Sequence, residues 1–305
     1  SFSNHPHCEG RVSGYQSDSG LLQLDDDLPF DPQLGEAIEL ISKWEAPILA
    51  AKLGLAAEGL RLDAASVAMR LATTRCTNAL LEKKGTPPVF FVTRGFPDLL
   101  RIGDQRRLGL FDLQPRQREP LHAEVIEVPE RMDREGSVLE PLDLEALHKP
   151  VQALLAEGRN VAAVSLLHSY ANPRHEEALA LFLKEAGFEV VATSAAVSPF
   201  VKWLPRAESA VVEACLAPVL SEYLANVSAD LPESDLRVMT SAGGLSGVKA
   251  YRAVDSLLSG PAGGVVGAAA VARRAGMDKI IALDMGGTST DVSRFSSDFD
   301  YHDKH

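Results

Sequence analysis

The stretch Ile280-Ile281-Ala282-Leu283-Asp284-Met285-Gly286-Gly287-Thr288-Ser289-Thr290-Asp291-Val292 decides how this chain is read. A short apolar run ends in an aspartate, and two glycines, three hydroxyl residues and a second aspartate follow. The apolar run predicts a buried strand. Gly286 and Gly287 allow a tight reversal and keep side chains away from a ligand that approaches the backbone. Backbone N–H groups in such a turn can converge on an anion, and the hydroxyls of Thr288, Ser289 and Thr290 add donors. Asp284 and Asp291 offer hard oxygen ligands that suit a hydrated Mg²⁺ carried on phosphates. The expectation is a strand–turn–strand phosphate loop over 284–291. No Gly-Lys-Ser/Thr follows, so it is not a Walker loop, and no helix opens on the glycines, so it is not a dinucleotide fingerprint. A plain hairpin closed by Gly-Gly is the simpler alternative. The aspartates and hydroxyls that flank the glycines favour phosphate.

Upstream of this stretch, Ser259-Gly260-Pro261-Ala262-Gly263-Gly264 opens a predicted helix that runs to Arg274, and its small residues allow close packing on a neighbour. Leu236–Thr240 reads as a strand that leads into a second small-residue turn, Ser241-Ala242-Gly243-Gly244, which could border a nucleotide. A long helix is expected over Arg206–Asn226, interrupted mildly at Pro218, with a boundary near Ser198-Pro199. Val161–Leu167, a helix from Pro173 to Gly187 capped by Asn172, and Val190–Thr193 form the cleanest βαβ unit. Glu176 and Glu177 suit the first turns of that helix. His168 and His175 read as structural. Pro150 falls inside an apolar helical pattern and predicts a kink or a break there.

Nearer the start, Pro88–Thr93 is a buried strand followed by Arg94. Open α/β sheets bind ligands at the carboxyl ends of their strands. Arg94 there would clamp a carboxylate bidentately, or else form a surface salt bridge to Asp98 or Asp104. Val67–Leu71 is a strand that feeds Thr73-Thr74, after which Thr77 and Asn78 are expected to cap a helix over Ala79–Lys84, closed by Gly85. A helix with Pro47 in its first turn ends at Gly54 or Gly59. His5, His7 and Cys8 could grip a metal, though a tail is the simpler reading, and Asp25-Asp26-Asp27 reads as a solvated acidic turn.

The 305 residues carry a formal net charge of −12, which disfavours nonspecific nucleic-acid binding. Cys8, Cys76 and Cys215 are few and far apart, which points to a reducing, cytoplasmic setting, with Cys76 a small core residue. No uninterrupted apolar run of about 20 residues marks a membrane span, and no basic-then-apolar leader opens the chain.

Asp-Met-Gly-Gly-Thr-Ser-Thr-Asp-Val-Ser (284–293) resembles the ATP-handling motif of the hydantoinase A/5-oxoprolinase family. Ala72–Gly85, Val92–Leu100, Leu167–Pro173 and Leu258–Gly264 are similar to further family segments, in family order. Glu39-Leu40-Ile41 and Glu45–Ala50 lean toward the 5-oxoprolinase branch.

The resemblance implies an α/β fold of the actin-like ATPase (ribonuclease H-like) type, with mixed sheets and flanking helices, incomplete at both ends. It implies an N-terminal-type region over 1–195 and the beginning of the ATPase-type domain over 196–305. It further implies ATP and Mg²⁺ as cofactors. Gly286, Gly287, Thr288, Ser289 and Thr290 would hold nucleotide, Asp284 and Asp291 would act on the metal and the attacking group, and Thr77, Asn78 and Arg94 would face substrate. The helix after Ser259 would serve as a hinge. The implied activity is ATP-dependent opening of a cyclic amide, 5-oxo-L-proline or a hydantoin. An ATP-dependent ketone carboxylase and a non-catalytic nucleotide-binding or assembly subunit are the alternatives. A hydantoinase B-type subunit or fused domain and an oligomeric state are expected, with neither nucleic acid nor membrane as partner. Family members open on a first Asp-x-Gly-Gly-Thr loop, which does not occur before residue 284, so the chain is expected to be an excerpt that by itself binds ATP weakly and does not turn it over.

Overall fold

The computed structural model describes residues 12–16, 21–24, 44–60, 62, 67–105, 119–231, 234–285 and 290–296. The chain divides into two compact units, 1–62 and 63–305. In the first, β1 (Val12–Gln16) pairs antiparallel with β2 (Leu21–Leu24). Helix α1 (Ala46–Ala57) carries a proline in its first turn, where the missing N–H has no intrahelical partner to lose. Lys52 lies over the Trp44 ring.

The second unit begins with β3 (Ala68–Leu71) and α2 (Arg75–Leu81). Next come β4 (Val89–Thr93) and α3 (Leu99–Ile102), then β5 (Glu124–Val128) and the short hairpin β6 (Arg131–Met132) and β7 (Val138–Glu140). A 3₁₀ turn at Glu145–Leu147 passes into α4 (His148–Ala156). The predicted break is therefore present, and Pro150 stands in the first turn of α4. After it come β8 (Val161–Ser165), α5 (Arg174–Ala186), β9 (Val190–Thr193) and α6 (Ser194–Val197).

Strands β5, β4, β8 and β9, in that order, form a parallel sheet. β4 and β8 are its centre, and every residue of both is buried, as continuous apolar runs in parallel sheets require. Alternate residues serve opposite faces. Val89 and Phe91 join Val151 and Leu154 of α4 and Leu179 and Leu183 of α5. Phe90 and Val92 meet α7 (Trp203–Ala229) through Ala207, Ala210, Val211 and Ala214. The alanines let helix and sheet approach closely. Full burial of each phenylalanine contributes roughly 1.5–3 kcal/mol.

Helix α7 is long and apolar enough to cross a membrane by length and composition alone, although Arg206, Glu208, Glu213 and Glu222 interrupt its apolar sequence. Half of its apolar window is buried inside the unit, and the helix runs as its central core element.

The remaining elements are β10 (Asp235–Met239), β11 (Leu245–Gly247), a 3₁₀ turn at Val248–Ala250, α8 (Ala253–Ser256), α9 (Ser259–Arg274), β12 (Lys279–Met285) and β13 (Thr290–Ser296). β3 pairs parallel with β10, and β10 antiparallel with β11. β12 and β13 form a separate two-stranded sheet whose Phe295 is buried and lies 5.0 Å from the Arg273 guanidinium of α9.

Candidate nucleotide and substrate site

Three motifs far apart in sequence meet at the carboxyl ends of β3 and β10. Ser259 at the start of α9 donates its hydroxyl to Thr73 O (3.0 Å), and Thr77 of α2 donates to Leu257 O (2.5 Å). Ser241, in the turn after β10, donates both its N–H and its hydroxyl to Asp255 O, each at 2.7 Å. Tyr251 Oη donates to Met239 O at 2.7 Å. Burial pushes its phenol up to about 12, so it keeps the proton it donates. Gly263 of α9 has room for nothing large, since a Cβ there would already touch Ala72 and Met239 at 3.7 Å. The corner between α8 and α9 is thus tied to two strand ends, and it brings the start of a 16-residue helix, where Ser259 is buried and Pro261 has no N–H, close to Thr73, Thr74 and Ser241. Such a helix start attracts anions.

The hairpin β12–β13 has strands on both sides of residues 286–289 as expected, but the apolar run is not the buried strand its composition predicts: Ile281, Leu283 and Met285 are exposed, because the two-stranded sheet leaves that face uncovered. Asp284 pairs directly with Asp291, and Met285 with Thr290. Directly opposed residues share a face, with Cβ atoms about 4.5–5.5 Å apart. Both aspartates are exposed. Like charges held so close destabilise a sheet, and a cation or a shared donor relieves them. Gly286, Gly287, Thr288 and Ser289 lie outside the described residues. Among the described residues no cluster of three or more His, Cys, Asp or Glu forms a metal site; two carboxylates with phosphate oxygens and water are the donor set a Mg²⁺ would meet here.

A second polar centre sits at the carboxyl ends of β4 and β8. The chain leaves β4 toward β5 on one side and β8 toward β9 on the other, so the strand order reverses between them, the crevice where open α/β sheets bind ligands. Here it is filled by the protein's own groups. Thr93 donates its hydroxyl to Glu130 and accepts from Leu167 N–H at 2.8 Å; Glu130 holds His175 Nδ1 at 2.8 Å. Glu176 accepts from the N–H groups of Leu166 and Ala195 and from the hydroxyls of Ser169 and Ser194. Arg206 of α7 stands 3.7 Å from Glu176 with both side chains fully buried, and donates to Ser169, Ser194 and Leu166 O. Burial pushes the Glu176 carboxyl up while its hydrogen bonds pull it down. At the rim, Arg94 pairs with Glu140 (2.5 Å), while its carbonyl accepts from Arg131.

The predicted site residues therefore divide. Thr77 and Asn78 are not caps: α2 begins at Arg75, so both lie inside it. Thr77 spends its hydroxyl proton on the α8–α9 corner, and Asn78 Nδ2 reaches Thr74 Oγ1 at 3.5 Å. The helix ends not at Gly85 but before Lys83, which itself takes φ +54°. Arg94 forms the surface ion pair, with Glu140 rather than Asp98 or Asp104. Among the described residues no hydrogen bond or ion pair joins it to Thr77 or Asn78. Cys76 and Cys215 are buried and free, and burial raises both thiols. His5, His7, Cys8 and Asp25–Asp27 lie outside the described residues. Glu176 stands in the first turn of α5 as expected, and it is also a buried anchor. No local motif marks Arg206 or Glu213. Their signal is α7 itself: charged residues in a helix apolar on every side must find partners inside.

The profile described as "Hydantoinase/oxoprolinase N-terminal region" matches residues 33–187, and that described as "Hydantoinase/oxoprolinase" matches 206–302. The 5-oxoprolinase 1 of Arabidopsis thaliana is 40% identical over 256 residues, which cover 76% of this chain and 20% of the relative. Among solved structures, a nucleotide-free acetone carboxylase superposes with TM-score 0.72 at 28% identity, covering 82% of this chain and 38% of its own. The ATP-dependent caprolactamase of Pseudomonas jessenii gives 0.68 at 25% identity, covering 96% and 43%. The chain spans about a fifth of the length of the curated relative named here. It has the mixed-sheet α/β fold of these proteins, the actin-like ATPase type that the resemblance implied. On the match of both profiles and on these likenesses, the chain belongs to the hydantoinase/oxoprolinase family.

Proposed function

We propose that this chain is the nucleotide-handling part of an ATP-dependent cyclic amidase whose substrate is 5-oxo-L-proline, opened to L-glutamate. The observation that carries the reading is the pairing of Asp284 with Asp291 across β12–β13 at the mouth of the Gly-Gly turn. The helix start at Ser259, tied to Thr73, supplies a second anion-seeking surface. The 40% identity to a plant 5-oxoprolinase supports this substrate over other lactams.

A lactam amide resists water because resonance strengthens its C–N bond. Transfer of the γ-phosphoryl group of ATP to the amide oxygen, with release of ADP, activates the carbon for attack by water; the ring C–N bond then breaks as nitrogen takes up a proton, and a second water hydrolyses the resulting acyl phosphate to carboxylate and phosphate. The protein's part is to position the reactants and stabilise charge. Gly286, Gly287, Thr288, Ser289 and Thr290 hold phosphates. Asp284 and Asp291 hold Mg²⁺ or orient the attacking group. Thr77 and Asn78 border the substrate from α2, and Arg94 meets its carboxylate once released from Glu140. Residues 1–195 form the N-terminal-type region and 196–305 begin the ATPase-type domain. A hydantoinase B-type subunit or fused domain completes hydrolysis, in an oligomer in the cytosol. The likeness to an acetone carboxylase supports ketone carboxylation as a second reading.

Calorimetry of the full-length gene product with a nonhydrolysable ATP analogue, with and without 5-oxoproline, tests the proposal. Binding should fall about 100-fold or more in Asp284→Ala, a loss of ~2.7 kcal/mol. Unchanged binding would remove Asp284 from the site. Coupled assays with 5-oxoproline against ketone plus bicarbonate separate the two readings.

A further inference from the structure

The α8–α9 corner is held by charged groups as well as by neutral hydrogen bonds. Its tethers to Thr77, Ser241 and Thr73 are neutral hydrogen bonds. Glu213 of α7 reaches it from the other side: Oε2 accepts from Val254 N–H at 2.9 Å, and the N–H of Ala253 also donates to this carboxylate. Those are the first two residues of α8. A hydrogen bond to an ionised acceptor is roughly twice as strong as a neutral one. Four residues lie between Val254 and Ser259, where α9 starts.

The surroundings of Glu213 are mixed in sign. Arg252 pairs with both carboxylate oxygens of Asp255, at 2.9 and 3.0 Å, and donates to Ala196 O and Val197 O at the end of α6. Cys76 of α2 is close enough to feel the charge of Glu213. Glu177 and Lys184 of α5 line a cavity of about 460 Å³ together with Glu213 and Arg252. Through that cavity the carboxylate can exchange a proton with solvent.

We propose that Glu213 is a positioning residue for the nucleotide site. Its charge clamps the start of α8, which holds the amino end of α9 against the ends of β3 and β10, and nucleotide affinity depends on that charge. This rests on the nucleotide reading given above. Glu213 touches neither phosphate nor metal and acts only through α8. Burial raises its carboxyl above the usual range. The folded protein therefore holds this proton more tightly than the unfolded chain. The stability tied to the group grows as pH falls through that window and shrinks as pH rises. Affinity runs the other way, because protonation removes the charge that clamps α8.

The test is calorimetry of wild-type full-length protein and Glu213→Gln with Mg²⁺ and a nonhydrolysable ATP analogue, from about pH 5 to about pH 8. Gln has the shape of the protonated acid. We expect the variant to bind about 10-fold more weakly at the upper pH, with the two affinities converging as pH falls. Thermal unfolding of the same pair should show the wild type gaining relative to the variant as pH falls, opposite in sign to affinity. A purely structural cap would change unfolding alone and leave the affinity ratio independent of pH, which overturns the proposal. Should Glu213→Gln not fold, Glu213→Asp keeps the charge and should keep an affinity that falls with pH; a flat profile overturns the proposal. Absence of binding by the wild type overturns the nucleotide reading and this inference together, whereas equal binding by wild type and variant overturns this inference alone.

Discussion

At the scale of single residues, burial sets the energetics. Arg206 and Glu176 are fully buried, and each loses its hydration shell on folding. Removing one partner leaves the other's charge uncompensated, which costs ~3–5 kcal/mol. Arg206→Met should lower stability by that amount in urea unfolding, and adding Glu176→Gln should recover most of it. Burial already raises the Glu176 carboxyl, and loss of the guanidinium raises it further. The deficit of Arg206→Met should therefore shrink as pH falls and Glu176 takes up a proton; a deficit constant with pH would count against this account. Gly85 is a second case. Thr86 N–H donates to Cys215 O at 3.0 Å, so the chain runs hard against α7. A Cβ on Gly85 would collide with Cys215 Sγ and lie 3.0 Å from its carbonyl oxygen. Gly85→Ala should cost ~1–3 kcal/mol by overpacking, measured as a fall in Tm with unchanged far-UV circular dichroism. Residue identity alone marks Gly85 as a helix terminator. Its role depends on a helix about 130 positions away in sequence, which local turn chemistry does not encode.

At the scale of elements, the two prolines that fall inside helical patterns have different fates. Pro150 lies in the first turn of α4, where a missing N–H costs nothing, so Pro150→Ala should change stability by less than about 0.5 kcal/mol. Pro218 lies inside α7, where it denies a hydrogen bond to the carbonyl of Ala214, four residues back. Pro218→Ala should raise stability by roughly 1–3 kcal/mol, seen as a higher denaturant midpoint; no gain would mean that the neighbours of Pro218 already compensate the missing hydrogen bond. Most of these elements were legible. Apolar runs gave β4 and β8, Asn172-Pro173 and Gly187 bracketed α5, and Ser259 to Arg274 gave α9, because each signal is local. α2 begins four residues earlier than its sequence predicts. Thr77-Asn78 looks like a cap by composition, but Thr77 bonds a carbonyl of the distant α8–α9 corner instead.

At the scale of the whole molecule, both hydrophobic clusters of the parallel sheet draw their buried residues from Val89 to Ala214. Residues 63–305 are one compact unit, so a polypeptide starting at Asp63 should unfold cooperatively on heating, with circular dichroism as the readout. A broad, non-cooperative loss of signal would show that residues 1–62 are needed to complete the fold.

The sequence by itself determined the alternation of strand and helix, the family, and the Asp–Gly–Gly–hydroxyl–Asp segment, because periodicity, caps and motifs act over a few residues. Only the tertiary structure decided that the ends of β3, β10 and α9 converge, that Arg94 follows β4 of one sheet while Thr77 lies in α2 after β3 of another, and that Glu176 and Arg206 act from inside and the half-buried Glu213 from the wall of a cavity. Those outcomes turn on which groups lose water together, and burial is a property of the assembled chain that no short stretch of it carries.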